Sequence, residues 1–148
     1  MDTDILTLWR HGNEGVKSRI AEYVRRHQTL PALTSTTVLE VYFGFENKAH
    51  RVGSLSDLDQ RDLTATKKLI DSIPVKLAFD HEAARIAAFV LSQLGEKRRR
   101  HLLNDVLIAA TAAANGHGVA TKNARDFNLI REIISCRSDL RRLFVEIW

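Results

Sequence analysis

The sequence predicts a single α/β domain over residues 1–148, a short parallel sheet covered by helices on both faces. Three observations lead there. Short apolar stretches follow each of the two prolines and recur late in the chain, as entered strands do. The segments between them carry apolar residues at helical spacing. Strands and helices therefore alternate, which is the pattern of parallel strands joined by helical crossovers. A length of 148 residues suits one domain with a real core, and 45% hydrophobic with 27% charged residues is an ordinary globular balance.

In chain order, "MDTDIL" sets Asp2 and Asp4 against Ile5, Leu6 and Leu8. "VKSRIAEYVRRH" puts Val16, Ile20, Tyr23 and Val24 on one helical face, with Lys17, Arg19, Arg25 and Arg26 around the rest. "ALTS" (32–35), after Pro31, is the first strand, and "VKLAF" (75–79), after Pro74, the second. "TTVLEVYFGFENKAH", "LDQRDLTATKKLIDSI" and "DHEAARIAAFVLSQL" read as helices. "LNDVLIAATAAANG" reads as another, from an Asn104 cap to a glycine stop. "GVAT" (118–121) and "LFVEIW" (143–148) complete the strands, and "TKNARDF" is a loop between them.

The bulk features exclude several classes. No apolar run reaches the roughly 20 residues of a membrane helix, and an acidic opening is no signal peptide. Cys136 is alone, so no intrachain disulfide forms and a cytoplasmic location is expected. A net charge of +4 permits a nucleic-acid partner without requiring one. The six histidines show no metal-ligand spacing.

Parallel sheets of this kind bind ligands beyond the carboxyl ends of their strands. Four acidic or amide positions fall in such places. Asp2 opens the chain. Glu40 lies in the apolar "VLEVYFGF", where it is either one corner of a site or the far member of a capping box with Thr37. Asp105 opens "DVLIAATAAA", serving either a site or the helix dipole. The loop offers Thr121, Asn123 and Asp126, residues that turns favour on their own account. Taken jointly, they bring carboxylates from separate segments to one sheet edge. Like charges about 4 Å apart repel by roughly 4 kcal/mol at an effective dielectric of 20, so the cluster needs a counter-charge. All-oxygen ligands select Mg²⁺ or Mn²⁺.

"MDTDIL", "TSTTVLEVYFG", "NDVLIAATAAANGHGVATKN" and "ARDF" resemble, in order and across nearly the whole chain, the motifs of PIN domains, in particular VapC-type toxins of bacterial toxin–antitoxin pairs. The resemblance implies a three-layer α/β/α domain and a Mg²⁺- or Mn²⁺-dependent endoribonuclease. It also implies a homodimer and a small VapB-like antitoxin that enters the active-site groove. Asp2, Glu40 and Asp105 match the three best-defined acidic positions. Asn123 stands where many members carry aspartate; it can coordinate through its carbonyl but adds no charge. Asp126 either supplies that carboxylate or caps the turn, and Thr121 orients a neighbouring ligand. Asp2 and Asp105 are the expected metal ligands, and Asp4 is expected to cap the first helix or hold water. Members carry apolar residues before the first aspartate, forming the central strand. Here Met1 precedes it, which creates the expectation of an upstream native start, or of an α-ammonium beside Asp2.

An acidic pocket needs nearby cations to attract RNA. Lys97, Arg98, Arg99 and Arg100, in a charged loop "EKRRRH", are the leading candidates, followed by Lys122 and Arg125, then Arg10 and His11. The alternative function is a nuclease-inactive PIN-like module that binds RNA or protein. A phosphatase ranks below both, for want of a nucleophile loop or glycine-rich cradle.

Overall fold

A computed structural model describes all 148 residues as seven helices and four short strands. Each expected strand is present and shorter than read: β1 (Leu33–Thr34), β2 (Lys76–Leu77), β3 (Val119–Thr121) and β4 (Val145–Ile147). All pairings are parallel, but they form two two-stranded sheets, β1–β2 and β3–β4, rather than one continuous sheet. The Met1–Asp2 segment lies between them. The Met1 amino group donates to the Ala32 carbonyl at 2.8 Å, and the Asp2 N–H donates to the Ala120 carbonyl at 3.1 Å. With one such backbone hydrogen bond to each side, the segment stitches the sheets without fusing them.

Helices cover both faces. Successive side chains of a strand point to opposite sides, and β3 shows it. Val119 enters a core with Ile86, Val106, Phe127 and Ile130, whereas Ala120 enters a second core with Ile5, Leu6, Ile20, Leu33 and Ile70. The first core joins α5 (His81–Ser92), α6 (Glu96–Ala114) and α7 (Ala124–Ser135); the second joins α1 (Thr3–Arg10), α2 (Glu14–His27) and α4 (Asp57–Ser72). Just before β3, a Cβ on Gly118 would stand 2.9 Å from the Phe144 carbonyl oxygen, so only glycine admits β4 this closely. No helix is long and apolar enough to cross a membrane.

Three helix boundaries differ from the sequence reading. α6 starts at Glu96, capped by Gly95, so "EKRRRH" is helix and not loop, and Asp105 lies mid-helix rather than at a dipole terminus. Leu102, Val106, Ala109 and Ala113 continue one buried stripe through it, and Arg100 pairs with Glu96 one turn away. α3 (Ser35–Val52) is capped by Thr34, which accepts from the Thr37 N–H, placing Glu40 in the second turn. α7 starts inside "TKNARDF" with Asn123 as its cap; buried Phe127, Ile130 and Ile134 form its apolar stripe.

Candidate active site

The site grows from the start of α1. Asp2, 4% exposed, is itself the cap: its Oδ1 accepts from the Ile5 N–H at 2.9 Å. Asp4, expected in that role, instead stands exposed in the first turn. Burial pushes the Asp2 carboxyl above the ordinary carboxylate range, and the Thr121 hydroxyl and Ile5 N–H hold it partly down. Thr121 is fully buried and its hydroxyl accepts from the Asn123 N–H at 2.8 Å. It thereby ties the end of β3 to Asp2.

Glu40 makes no capping box. Its Oε1 accepts from Asn104 Nδ2 at 2.6 Å, and its Oε2 accepts from the Thr3 hydroxyl. Asn104, read as a helix cap, lies inside α6 and reaches across to α3. Its sequence position beside Asp105 is the only signal that could have suggested a place in the site. The contact itself joins residues far apart in the chain.

Asp105 feels the whole group. Burial raises its carboxyl from 3.8 to about 7, helped by the charges of Glu40, Asp126, Asp2 and Asp4, in that order. Asn123 sits between two of these. Its Oδ1 accepts from the Asp126 N–H at 3.4 Å, while Nδ2 donates to Asp105 at 3.2 Å and to Asp126 at 2.9 Å. Asn123 therefore turns amide hydrogens, not its carbonyl, toward the carboxylates, and it caps α7 where Asp126 was the candidate cap.

None of Asp2, Asp4, Glu40, Asp105 or Asp126 forms an ion pair with Lys, Arg or His. Nor do three Asp, Glu, His or Cys side chains stand placed to hold one ion together. Carboxylates without a counter-charge repel, and neutral donors from Thr3, Asn104 and Asn123 hold Glu40, Asp105 and Asp126 where they stand. The donor set is all oxygen, which suits a hard cation. Mg²⁺ in particular binds through one or two carboxylates and keeps several waters, so it requires no three-carboxylate cage. Asp2 and Asp105, the two carboxyls raised by burial, fit that demand.

Of the basic candidates, Lys97, Arg98 and Arg99 are exposed on the first turns of α6, and Lys122 and Arg125 are exposed around the start of α7. Arg100 is committed to Glu96. Arg10 is committed as well: its guanidinium donates to Thr66 at 2.9 Å, stands 3.3 Å from Asp62 and contacts the His11 ring.

No protein-family model matches the sequence, and no curated protein does. Solved structures do match. DNA-bound VapBC from Salmonella typhimurium contains a chain with 22% identity and a TM-score of 0.70, over 99% of this chain and 95% of that one. VapBC2 from Rickettsia felis, bound to a DNA fragment from its promoter, contains one with 15% identity and a TM-score of 0.68, over 99% and 96%. From one end to the other, then, this α/β chain has the fold of a chain found in VapBC complexes.

Proposed function

We propose that this chain is a VapC-type toxin with a PIN-like three-layer fold, an endoribonuclease that uses Mg²⁺ or Mn²⁺ to hydrolyse RNA phosphodiester bonds. The observation that carries the reading is Asp105. It is raised to about 7 by burial and by four neighbouring carboxylates, none of which is ion-paired with a Lys, Arg or His side chain. A cluster built this way stores unfavourable charge, and a divalent cation relieves it. Asp2 and Asp105 would hold that ion; it would supply neutralising charge and Lewis acidity toward water and the scissile phosphate.

The chain's own residues do the rest. Glu40, steadied at both oxygens by Asn104 and Thr3, accepts the proton of the attacking water. Water adds to phosphorus as the bond to the leaving ribose oxygen breaks, and that oxygen takes a proton from solvent water to leave as a hydroxyl. Asn123 holds Asp105 and Asp126 in place, and Thr121 does the same for Asp2.

The partners follow from the surface. Leu39 (62% exposed) and Phe43 (63%) lie bare on α3 within a turn of Glu40, and Leu58 (75%) lies bare at the start of α4. Exposed apolar groups clustered beside a site mark a protein partner. The VapBC likeness supports a VapB-like antitoxin there, and the resemblance supports a homodimer.

The test is cleavage of single-stranded RNA in Mg²⁺. Activity should vanish in Asp2→Asn and in Asp105→Asn while circular dichroism stays native. Retained cleavage in either variant overturns the assignment. One observation favours the nuclease-inactive reading: the Asn123 amide faces the carboxylates where a further ligand would be useful. Wild-type protein that binds RNA but leaves it intact in both metals would establish that reading.

A further inference from the structure

We infer that the seam between α6 and α7 is the RNA-backbone subsite of this centre, with Arg98, His101 and Arg125 binding a phosphodiester next to the one cleaved. The inference rests on the RNA-directed reading above. Two grooves adjoin the acidic cluster, and their charges differ. The first, of about 320 Å³, runs between α1, α3 and α4 and includes Thr3, Arg10, Glu40, Lys48, Asp59 and Asp62. Its cations are already neutralised, Arg10 by Asp62 and Lys48 by Asp59. Glu40 then leaves three carboxylates against two cations, which repels phosphate.

The second groove, of about 410 Å³, lies over the α6–α7 seam between Arg98, His101, Leu102, Arg125, Asp126 and Leu129. Its basic side chains have no partner: none of Arg98, His101 and Arg125 appears in any side-chain hydrogen bond or ion pair that ties the rest of the molecule together. Its single acid, Asp126, already accepts from Asn123 Nδ2, the same group that donates to Asp105. One amide therefore links the groove to the centre of the site. Arg98 and His101 are one turn apart on α6, over buried Leu102, so rigid helix positions them. Free guanidinium groups bind phosphate oxygens bidentately and with directional hydrogen bonds. The rest of the basic run does not share the groove. Lys97 and Arg100 line a neighbouring surface with Glu96 that shares only His101 with the groove, and Arg99 lines neither.

The experiment measures binding of a fluorescein-labelled, mixed-sequence single-stranded RNA by anisotropy across a salt series. The full chain carries Asp105→Asn so that the RNA stays intact. Adding Arg98→Ala or Arg125→Ala should each weaken binding about tenfold and reduce the log–log salt slope by about one. Arg99→Ala should change binding less than about twofold, the size of a distant surface charge. Arg98→Lys, which keeps the charge, should recover part of the loss and guards against a folding artefact. Equal losses in Arg99→Ala and Arg98→Ala overturn the inference, as do unchanged binding in both groove variants or no RNA binding by the parent. Wild-type cleavage without groove dependence sinks this inference alone. Groove-dependent binding without wild-type cleavage sinks the nuclease reading alone.

Discussion

Replacing Asp105 by Asn should make the metal-free protein more stable at about pH 8, although it removes a group proposed for catalysis. The folded-state carboxyl titrates at about 7 and its ordinary value is 3.8. Between those values the folded state holds a proton that the unfolded chain has released, so stability falls as pH rises from about 4 to about 7. Above that range the whole penalty is present. A rise of this size corresponds to about 4 kcal/mol; partial exposure and salt screening reduce it to roughly 2–3 kcal/mol. Asparagine is isosteric, can still accept from Asn123 and has no charge to bury. In EDTA at about pH 8, Asp105→Asn should therefore melt about 5–10 °C higher than wild type. Below about pH 4 the advantage should disappear, because the wild-type carboxyl is then neutral in both states. The Met1 amino group, which burial pushes down to about 6, acts in the opposite sense between pH 6 and 8, but it is common to both proteins and cancels in the difference. Thermal melts followed by far-ultraviolet circular dichroism supply the measurement. A variant no more stable than wild type at about pH 8, or equally advantaged at about pH 4, refutes the reasoning. Millimolar Mg²⁺ should reverse the order by stabilising only the wild type through mass action.

Three further outcomes are expected. Asn123→Asp replaces an amide donor to Asp105 and Asp126 with a further negative charge. In EDTA it should lose about 1–3 kcal/mol, while its melting point should respond to Mg²⁺ more strongly than that of wild type; an unchanged melt in EDTA would remove the bridging role. Asn104→Ala frees Glu40 Oε1 and should lower kcat for RNA cleavage about tenfold with KM and melting point nearly unchanged; Asn104→Asp, placing like charge there, should lose more. Gly118→Ala drives a methyl group into the Phe144 carbonyl, which is backbone and cannot rotate away. It should cost about 1–3 kcal/mol in denaturant titration, and a neutral result would mean that β4 shifts freely.

Much of this arrangement was legible in the residue order. The four strand positions follow from Pro31, Pro74 and short apolar runs, and those signals are local. Helix existence is legible for the same reason, since an amphipathic stripe needs only its own neighbours. Boundaries are less so. A stripe of charges before Leu102 reads as loop, yet the buried spacing from Leu102 to Ala113 propagates helix back through it to Gly95. "TKNARDF" reads as a turn, although Asn123 caps a helix whose apolar stripe begins at Phe127.

The acid positions themselves, Asp2, Glu40 and Asp105, were in the sequence. Residue type and order were enough to pick out an oxygen-only set of acids. What each acid touches required the tertiary structure, because hydrogen bonds between distant segments leave no periodic trace. Packing α3 against α6 brings Asn104 to Glu40; the turn after β3 brings the Asn123 amide between Asp105 and Asp126. Burial, which raises Asp2 and Asp105, is likewise a property of the assembled layers and of no single segment. The sequence on its own determined which residues carry charge and in what order they come. Only the fold decided which of those charges lack partners, since distance and desolvation set the energy of a charge and both are created by packing.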